Sequence, residues 1–184
     1  MERSVVLIAL FAAMIAVLGL VPPITLGFGV PITAQSLGVM LCGTILGAKR
    51  GALAVLLFQL LIAMGLPLLS GGRGGLGIIV SPTGGFFLGW LPAAFVTGLI
   101  VERLRIGSLA VVAAIASIIG GIVVLYACGI IGMSLTLSKS LAEATALVLA
   151  FIPGDAVKAV IAGLLTSALA KARPSVVLSR SAAK

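Results

Sequence analysis

The sequence contains no histidine, only two cysteines and few charged side chains, which make up 9% of its 184 residues. Without histidine, imidazole-based metal centres, a histidine general base and the Ser-His-Asp triad of hydrolases are excluded. Cys42 and Cys128 each stand alone within an apolar segment, so they fit packing residues better than a zinc motif or a disulfide framework. We therefore expect neither a metal nor a cofactor.

Hydrophobic residues make up most of what is present. They account for 61% of the chain, and the mean hydropathy is +1.38. A soluble domain of this length must still cover its surface, and twelve basic plus four acidic side chains are too few for that. The basic residues are scattered at the ends of apolar runs rather than gathered on one face, which argues against nucleic-acid binding. The composition predicts an integral membrane protein.

Six apolar runs are long enough to cross a bilayer as helices, which takes about 20 residues each. They are approximately 4–21, 31–48, 52–69, 83–101, 108–133 and 142–170. The first run follows a basic start that also suits a secretory signal, but a proline turn leads from it straight into the next run, so we expect it to be retained. The sequence thus predicts an all-α integral membrane protein, with residues 1–184 forming one bundle of six transmembrane helices.

Basic residues between the runs predict the orientation in the membrane. Nine of the twelve fall on one side of the six-run topology: Arg3, Lys49, Arg50, Arg103, Arg105, Lys171, Arg173, Arg180 and Lys184. Arg73 and Lys139 fall on the other side. Because Lys and Arg concentrate in cytoplasmic loops, we expect cytoplasmic N and C termini, a basic tail at the cytoplasmic surface from 171 to 184, and a multi-pass protein of the cell inner (plasma) membrane.

Two charges lie inside the last apolar run, in the stretch FIPGDAVKAVIAG. Asp155 and Lys158 are three residues apart and therefore share one face of a helix. Carrying either charge into a bilayer costs about 2.5–3.5 kcal/mol, so the pair is expected to face the bundle interior or a wet cavity. One interpretation is a structural ion pair that locks helices together. The other is a substrate site that opens outward, favoured because Pro153 and Gly154 predict a helix break that exposes backbone groups.

The predicted outer loops contain the most unusual local sequence. The connection between the third and fourth runs, LPLLSGGRGGLGIIVSPTGGFFLGW, holds one charge, Arg73. Its single G-x-G-x-x-G match has no strand and helix around it, so a dinucleotide site is rejected. Such a loop either only connects two helices or folds over a ligand, in which case Arg73 binds a carboxylate. The uncharged first outer loop either caps the site or only turns the chain, and Gln35 after it either contacts the ligand or makes a packing hydrogen bond.

Further candidates for ligand contact lie where the fourth run begins. Thr83, Gly84 and Gly85 offer a hydroxyl and free backbone N–H groups that can meet polar ligand atoms. Phe86 and Trp90 offer flat apolar surface beside them. The alternative for these two aromatic residues is a simple anchor at the membrane interface.

Small residues form a nearly flat stripe on the first run. The stripe consists of Ala9, Ala12, Ala13 and Ala16. In lipid, small residues at this spacing let two helix backbones approach closely. The stripe therefore predicts either packing within the chain or contact with a partner protein.

The alanine-striped first run, the stretch from PITAQSLG to PTGGFFLGW and the element FIPGDAVKAVIAG together resemble the BioY-type biotin uptake proteins, the substrate-binding S components of energy-coupling-factor (ECF) transporters. The resemblance covers most of the chain. It implies a six-helix bundle that binds biotin near its outer face, with Asp155 and Lys158 contacting the ligand. It also implies that the alanine stripe meets a membrane-embedded T component, and that two cytoplasmic ATPase subunits drive a toppling of the loaded protein in the lipid membrane.

Two other functions stay open. The chain has no G-x-x-x-x-G-K-[ST] motif, so we expect it to be no enzyme, and any ATP hydrolysis to occur on separate subunits. A stand-alone secondary carrier of biotin or another small vitamin would instead use Asp155 to take and release a proton. A membrane scaffold would use Asp155 and Lys158 only as a structural ion pair.

Overall fold

Helices make up the regular secondary structure of the chain. The computed structural model describes residues 2–181, and within that range the only strand-like features are two isolated bridges between loop residues. Six long helices follow one another in this range: α1 (Glu2–Leu18), α2 (Gln35–Leu46), α3 (Ala48–Ala63), α4 (Gly84–Arg103), α5 (Leu109–Leu137) and α6 (Leu141–Ala172). Each of them overlaps one predicted apolar run. The all-α prediction is confirmed.

Three of these helices are long and apolar enough to cross a membrane. They are α4 with 20 residues, α5 with 29 and α6 with 32. The helices α1 and α3 have 17 and 16 residues, and α2 is shorter. Apolar helices of the longer kind indicate a membrane protein, whereas the count of six spans and the side on which the termini lie stay predictions.

The end of α3 differs from the predicted end of the third run. That run extends to residue 69, but α3 ends at Ala63. Gly65 has a φ of 100°, in the left-handed region that glycine adopts with little strain and that commonly ends a helix. Pro67 follows it, so the apolar residues up to Leu69 lie in the loop between α3 and α4.

The predicted break at Pro153 and Gly154 is present only as a 3-10 turn directly before these residues. The helix α6 continues through Pro153 and Gly154, and its one irregularity is a 3-10 turn at Leu149–Phe151. Pro153 lies in the first turn of the α-helical segment that follows, where a missing N–H has no helical acceptor to lose. Asp155 therefore lies in the first turn of the α-helical segment that follows the 3-10 turn.

Close packing between helices holds the beginning of α4 beside the end of α5. The helix α4 packs against α2, α3 and α5, and α6 packs mainly against α5. A Cβ added to Gly85 would lie 2.5 Å from the carbonyl oxygen of Cys128 and 2.8 Å from the Cα of Gly132. Because no side chain fits there, glycine lets the two backbones touch, as small residues do in membrane bundles.

The tail after α6 folds back against the bundle. It forms a 3-10 turn, Pro174–Val176, and a short helix α7, Leu178–Ser181. Ser179 is fully buried and its hydroxyl donates a hydrogen bond of 2.6 Å to the carbonyl oxygen of Thr44. Residues 177–179 of the basic tail are buried against the bundle, and the location of the tail at the cytoplasmic surface stays a prediction. Lys184, counted above, lies outside the described residues.

Candidate functional site

One end of the bundle contains an open cavity. It has a volume of about 600 Å³ when the space continuous with solvent is counted. Its walls come from the loops after α1 and α3 and from α2, α4, α5 and α6. Seven of the predicted site residues line it: Gln35, Arg73, Thr83, Phe86, Trp90, Asp155 and Lys158.

Asp155 and Lys158 form an ion pair in this cavity. The Lys158 Nζ lies 2.8 Å from the Asp155 Oδ1, and the two side chains are 15% and 8% exposed for lysine and aspartate respectively. Successive turns of α6 place them on one face, as the spacing predicts. The pair is therefore accessible from the cavity and is not sealed between helices.

Three further groups hold the pair in position. The Tyr126 hydroxyl on α5 donates a hydrogen bond of 2.8 Å to the Asp155 Oδ2. The Ser36 hydroxyl on α2 donates to the Asp155 Oδ1 at 3.2 Å and accepts from the Lys158 Nζ at 2.9 Å. Lys158 also donates to the carbonyl oxygen of Thr33, in the loop after α1, at 2.7 Å. Three separate parts of the chain thus meet at the charges of α6.

Aromatic side chains form the apolar wall next to these charges. Phe151 makes edge-to-face contacts with Phe86 and Tyr126, at ring centroid distances of 5.7 and 6.4 Å. Phe87 and Trp90 pack together on α4, with ring centroids 6.1 Å apart. Aromatic pairs in edge contact stabilise one another, so a ligand beside the ion pair meets a packed apolar surface.

Arg73 supplies a third charge to the cavity. Its Nε donates to the carbonyl oxygen of Ser70 at 3.3 Å, and its Nη1 donates to the Thr83 hydroxyl at 3.4 Å. Within residues 2–181 no carboxylate lies within ion-pair distance of it. Partial burial lowers the pKa of Arg73, but a guanidinium stays protonated in proteins. Because Asp155 and Lys158 neutralise each other, Arg73 gives the cavity an excess positive charge.

The glycine-rich loop places Arg73 in this position. Gly71, Gly72 and Gly75 have φ values of 79°, 68° and 84°, which other residues adopt only with strain. The chain can therefore turn sharply on both sides of Arg73. The loop thus brings Arg73 to the cavity wall, and its folding over a ligand stays a prediction.

Two predicted ligand contacts, Gly84 and Gly85, do not line the cavity. A Cβ on Gly84 would clash with the backbone carbonyl of Ile79, and Gly85 faces α5 as described above. Both glycines serve backbone packing. The prediction of ligand contact is therefore not supported for either residue.

Gln35 lines the cavity, but its amide is used within the protein. Its Nε2 donates to the carbonyl oxygens of Ile15 and Leu68, at 3.1 and 3.0 Å, and its Oε1 accepts from the Ser70 N–H at 3.0 Å. It thus ties α1, α2 and the loop after α3 together. Of the two alternatives for Gln35, the structure favours the packing hydrogen bond.

Four further residues at the site were not predicted from the sequence: Ser36, Thr33, Tyr126 and Phe151. Tyr126 is the single tyrosine of the chain and lies in an otherwise apolar run, and this is a signal that could have identified it. Ser36 is 119 residues away in sequence from Asp155, to which it donates, and Thr33 is 125 residues away from Lys158, from which it accepts. Nothing in the local sequence distinguishes them from other small polar residues.

The alanine stripe on α1 is only partly at the surface. Ala9 and Ala13 are exposed and Ala16 is half-buried, but Ala12 is 2% exposed and belongs to the hydrophobic core. The prediction that Ala12 belongs to a partner interface is wrong. At 100° per residue, Ala12 lies on the side of the helix that carries the buried residues Phe11 and Ile15 and faces the bundle.

The fold and the site together define a class of protein. Apolar helices of membrane-spanning length surround an open cavity with an acid, an amine and a guanidinium on its walls, which suits the binding of a small molecule with polar groups at both ends. The chain belongs to the BioY family, whose family model matches residues 2–175. The predicted resemblance is thereby confirmed.

Similar proteins match this chain over most of their length, and one solved structure shares its fold. The biotin transporter BioY of Rhodobacter capsulatus is 59% identical over 98% of this chain and 100% of its own length. The biotin transporter BioY of Rhizobium etli is 56% identical over 91% of this chain and 92% of its own. The crystal structure of the S-component for biotin from an ECF-type ABC transporter is 32% identical, with a TM-score of 0.88 over 92% of both chains.

Proposed function

We propose that this chain is the substrate-binding S component of an ECF-type transporter and that its substrate is biotin. The observation that carries the proposal is the ion pair between Asp155 and Lys158, which faces an open cavity in a chain whose relatives are named biotin transporters. The chain binds and transports its substrate, and separate subunits hydrolyse ATP.

Asp155 accepts a hydrogen bond from an N–H group of the ureido ring of biotin. Three donors already occupy this carboxylate: Lys158 and Ser36 on Oδ1 and Tyr126 on Oδ2. A carboxylate offers about four lone-pair positions, so one position remains, on Oδ2. The three existing hydrogen bonds keep the Asp155 carboxylate oriented, so the ligand meets a preorganised acceptor.

Lys158 binds the ureido carbonyl oxygen by giving up one of its present hydrogen bonds and donating that N–H to the ligand. An ammonium has three N–H donors, and those of Lys158 are directed at Thr33, Ser36 and Asp155. A ligand oxygen that binds Lys158 therefore replaces one of them. The Thr33 carbonyl is the acceptor we expect to be replaced, because it lies on a loop whereas the other two lie on helices.

The other end of biotin lies at Arg73. The aromatic wall of Phe86, Phe151 and Trp90 packs against the ring and the aliphatic chain, and the guanidinium binds the carboxylate, for which its fork geometry is suited. Thr83 accepts a hydrogen bond from Arg73 and donates its own hydrogen to the Ser81 hydroxyl, whose hydrogen is used on the Ile78 carbonyl oxygen. Thr83 therefore orients the guanidinium toward the ligand.

The membrane arrangement follows from the same proposal. All six helices cross the inner membrane, both termini lie in the cytoplasm, and the cavity opens outward. The exposed residues Ala9 and Ala13 of α1 contact the T component. Two cytoplasmic ATPase subunits complete the transporter and drive the toppling of the loaded S component.

Calorimetric titration of the purified protein with biotin tests the substrate and the site. Asp155→Asn and Lys158→Ala should each weaken binding by about 10- to 150-fold, since a hydrogen bond to a charged group contributes about 1.5–3 kcal/mol. Lys139→Ala, which removes an exposed basic side chain outside the cavity, is the matched control. Wild-type affinity in both site variants would exclude the site, and a lack of any biotin binding would exclude the function.

Uptake measurements separate the S component from a stand-alone carrier. Cells expressing this chain with its T component and ATPase subunits should take up biotin, and an inactivated ATPase should abolish uptake. Uptake by the chain alone that disappears when the proton gradient is collapsed would favour the proton-coupled carrier instead.

A further inference from the structure

A second chamber adjoins the cavity on the side of the loops. It encloses about 540 Å³, again counting space continuous with solvent, and lies between the loop after α1 and the loop after α3. Pro31 and Arg73 line both spaces, and no other described residue does. These two side chains therefore form the boundary between the cavity and the chamber.

Arg73 is the part of this boundary that can move most easily. Its two hydrogen bonds, of 3.3 and 3.4 Å, are longer than the usual 2.7–3.2 Å for N–H donors. They use two of its five N–H groups. A ligand carbonyl or carboxylate at this point can therefore bind Arg73 while a chain attached to it continues past the guanidinium.

The chemistry of the chamber suits an uncharged chain. Pro23 and Leu26 supply apolar surface, and Thr25 and Ser70 supply hydroxyl-bearing side chains. Among the described residues that line it, Arg73 is the only charged one. A short alkyl or polar uncharged group fits this lining without leaving a charge unpaired.

We propose that the chamber accepts an extension on the carboxyl end of the ligand, so that the protein binds N-alkyl amides of biotin as well as biotin itself. This inference rests on the proposed function, because it requires the ureido ring at Asp155 and the carboxyl end at Arg73. The amide carbonyl takes the place of the carboxylate at the guanidinium, and the alkyl group enters the chamber.

Two amides that differ only in the extension test the chamber. Biotin primary amide and biotin N-butylamide both lack the carboxylate, so a difference between their dissociation constants reports on the four added carbons alone. In the wild-type protein we expect the N-butylamide to bind at least as tightly as the primary amide. Thr25→Trp narrows the chamber at an exposed position, and it should raise the ratio of the two constants, N-butylamide over primary amide, at least tenfold.

Leu20→Trp is the matched control, because Leu20 is 81% exposed and lies on the same loop outside the chamber. It should leave the ratio within twofold of that of the wild-type protein. A ratio above ten in the wild-type protein, or an unchanged ratio in Thr25→Trp, would overturn the inference while leaving the function intact. If biotin and both amides fail to bind, the proposed function itself has failed.

Discussion

The Tyr126 hydroxyl of α5 lies 2.8 Å from the Asp155 Oδ2 of α6 and donates a hydrogen bond to it. Lys158 and Ser36 occupy the other carboxylate oxygen, so the acid is held from two sides. Burying a charge costs much free energy unless the charge is paired and hydrogen-bonded. This network therefore stabilises an ionised acceptor in an apolar bundle before any ligand binds.

Tyr126→Phe should weaken biotin binding about 3- to 30-fold without unfolding the protein. The change removes one donor to the carboxylate, while the ring keeps its contacts with Phe86 and Phe151. A hydrogen bond to a charged group contributes about 1.5–3 kcal/mol, and only part of this is lost from binding because Tyr126 acts on the ligand through Asp155. Titration calorimetry and thermal unfolding in detergent measure the two effects.

If Tyr126 acts through Asp155, Tyr126→Phe should cost much less in an Asp155→Asn background than in the wild-type protein. Thr136→Val, which removes an exposed hydroxyl from the same helix, should change neither property. Additive losses in the double variant would show that Tyr126 affects binding by another route.

Arg73→Ala should reduce affinity for biotin more than affinity for biotin primary amide. The guanidinium has no carboxylate partner among the described residues, so a ligand carboxylate gains a charge-assisted hydrogen bond there, which is about twice as strong as a neutral one. We expect a loss of about 10-fold or more for the acid and a smaller loss for the amide. Equal losses of affinity for both ligands, measured by calorimetry, would show that Arg73 does not bind the carboxylate.

Replacing both charges of the ion pair separates a binding role from a structural one. Asp155→Leu or Lys158→Leu alone should lower thermal stability, because each leaves a buried charge unpaired, at a cost of about 3–5 kcal/mol for a fully buried pair. The double Leu variant should recover most of that stability and bind no biotin. If the folded double variant still binds biotin, the ion pair has only a structural role, as the scaffold hypothesis states.

The helices and the charged pair were predictable from sequence because their signals are local. An apolar run of sufficient length predicts a helix, and a spacing of three residues places Asp155 and Lys158 on one face. The failures at Gly84 and Gly85 have a physical cause. Ligand approach and close helix packing both require a residue without a side chain, so glycine alone does not distinguish them.

The contacts that complete the site were not predictable, because they join distant parts of the chain. The Thr33 carbonyl binds Lys158 through a backbone atom that every residue possesses. Ser36 reaches Asp155 only once α2 and α6 are packed together. The inward position of Ala12 likewise depends on which face of α1 meets the other helices, and an alanine stripe does not reveal that.

Tryptophan substitutions on α1 should separate the proposed partner surface from the core. Ala9 is exposed and Ala12 is 2% exposed, so the same change is made three residues apart in two different environments. Ala12→Trp overpacks the core and should destabilise the protein by about 1–3 kcal/mol or more. Ala9→Trp should leave thermal stability and biotin affinity unchanged but block co-purification with the T component and biotin uptake. Normal uptake by Ala9→Trp would mean that this face of α1 contacts lipid and that the T component binds elsewhere.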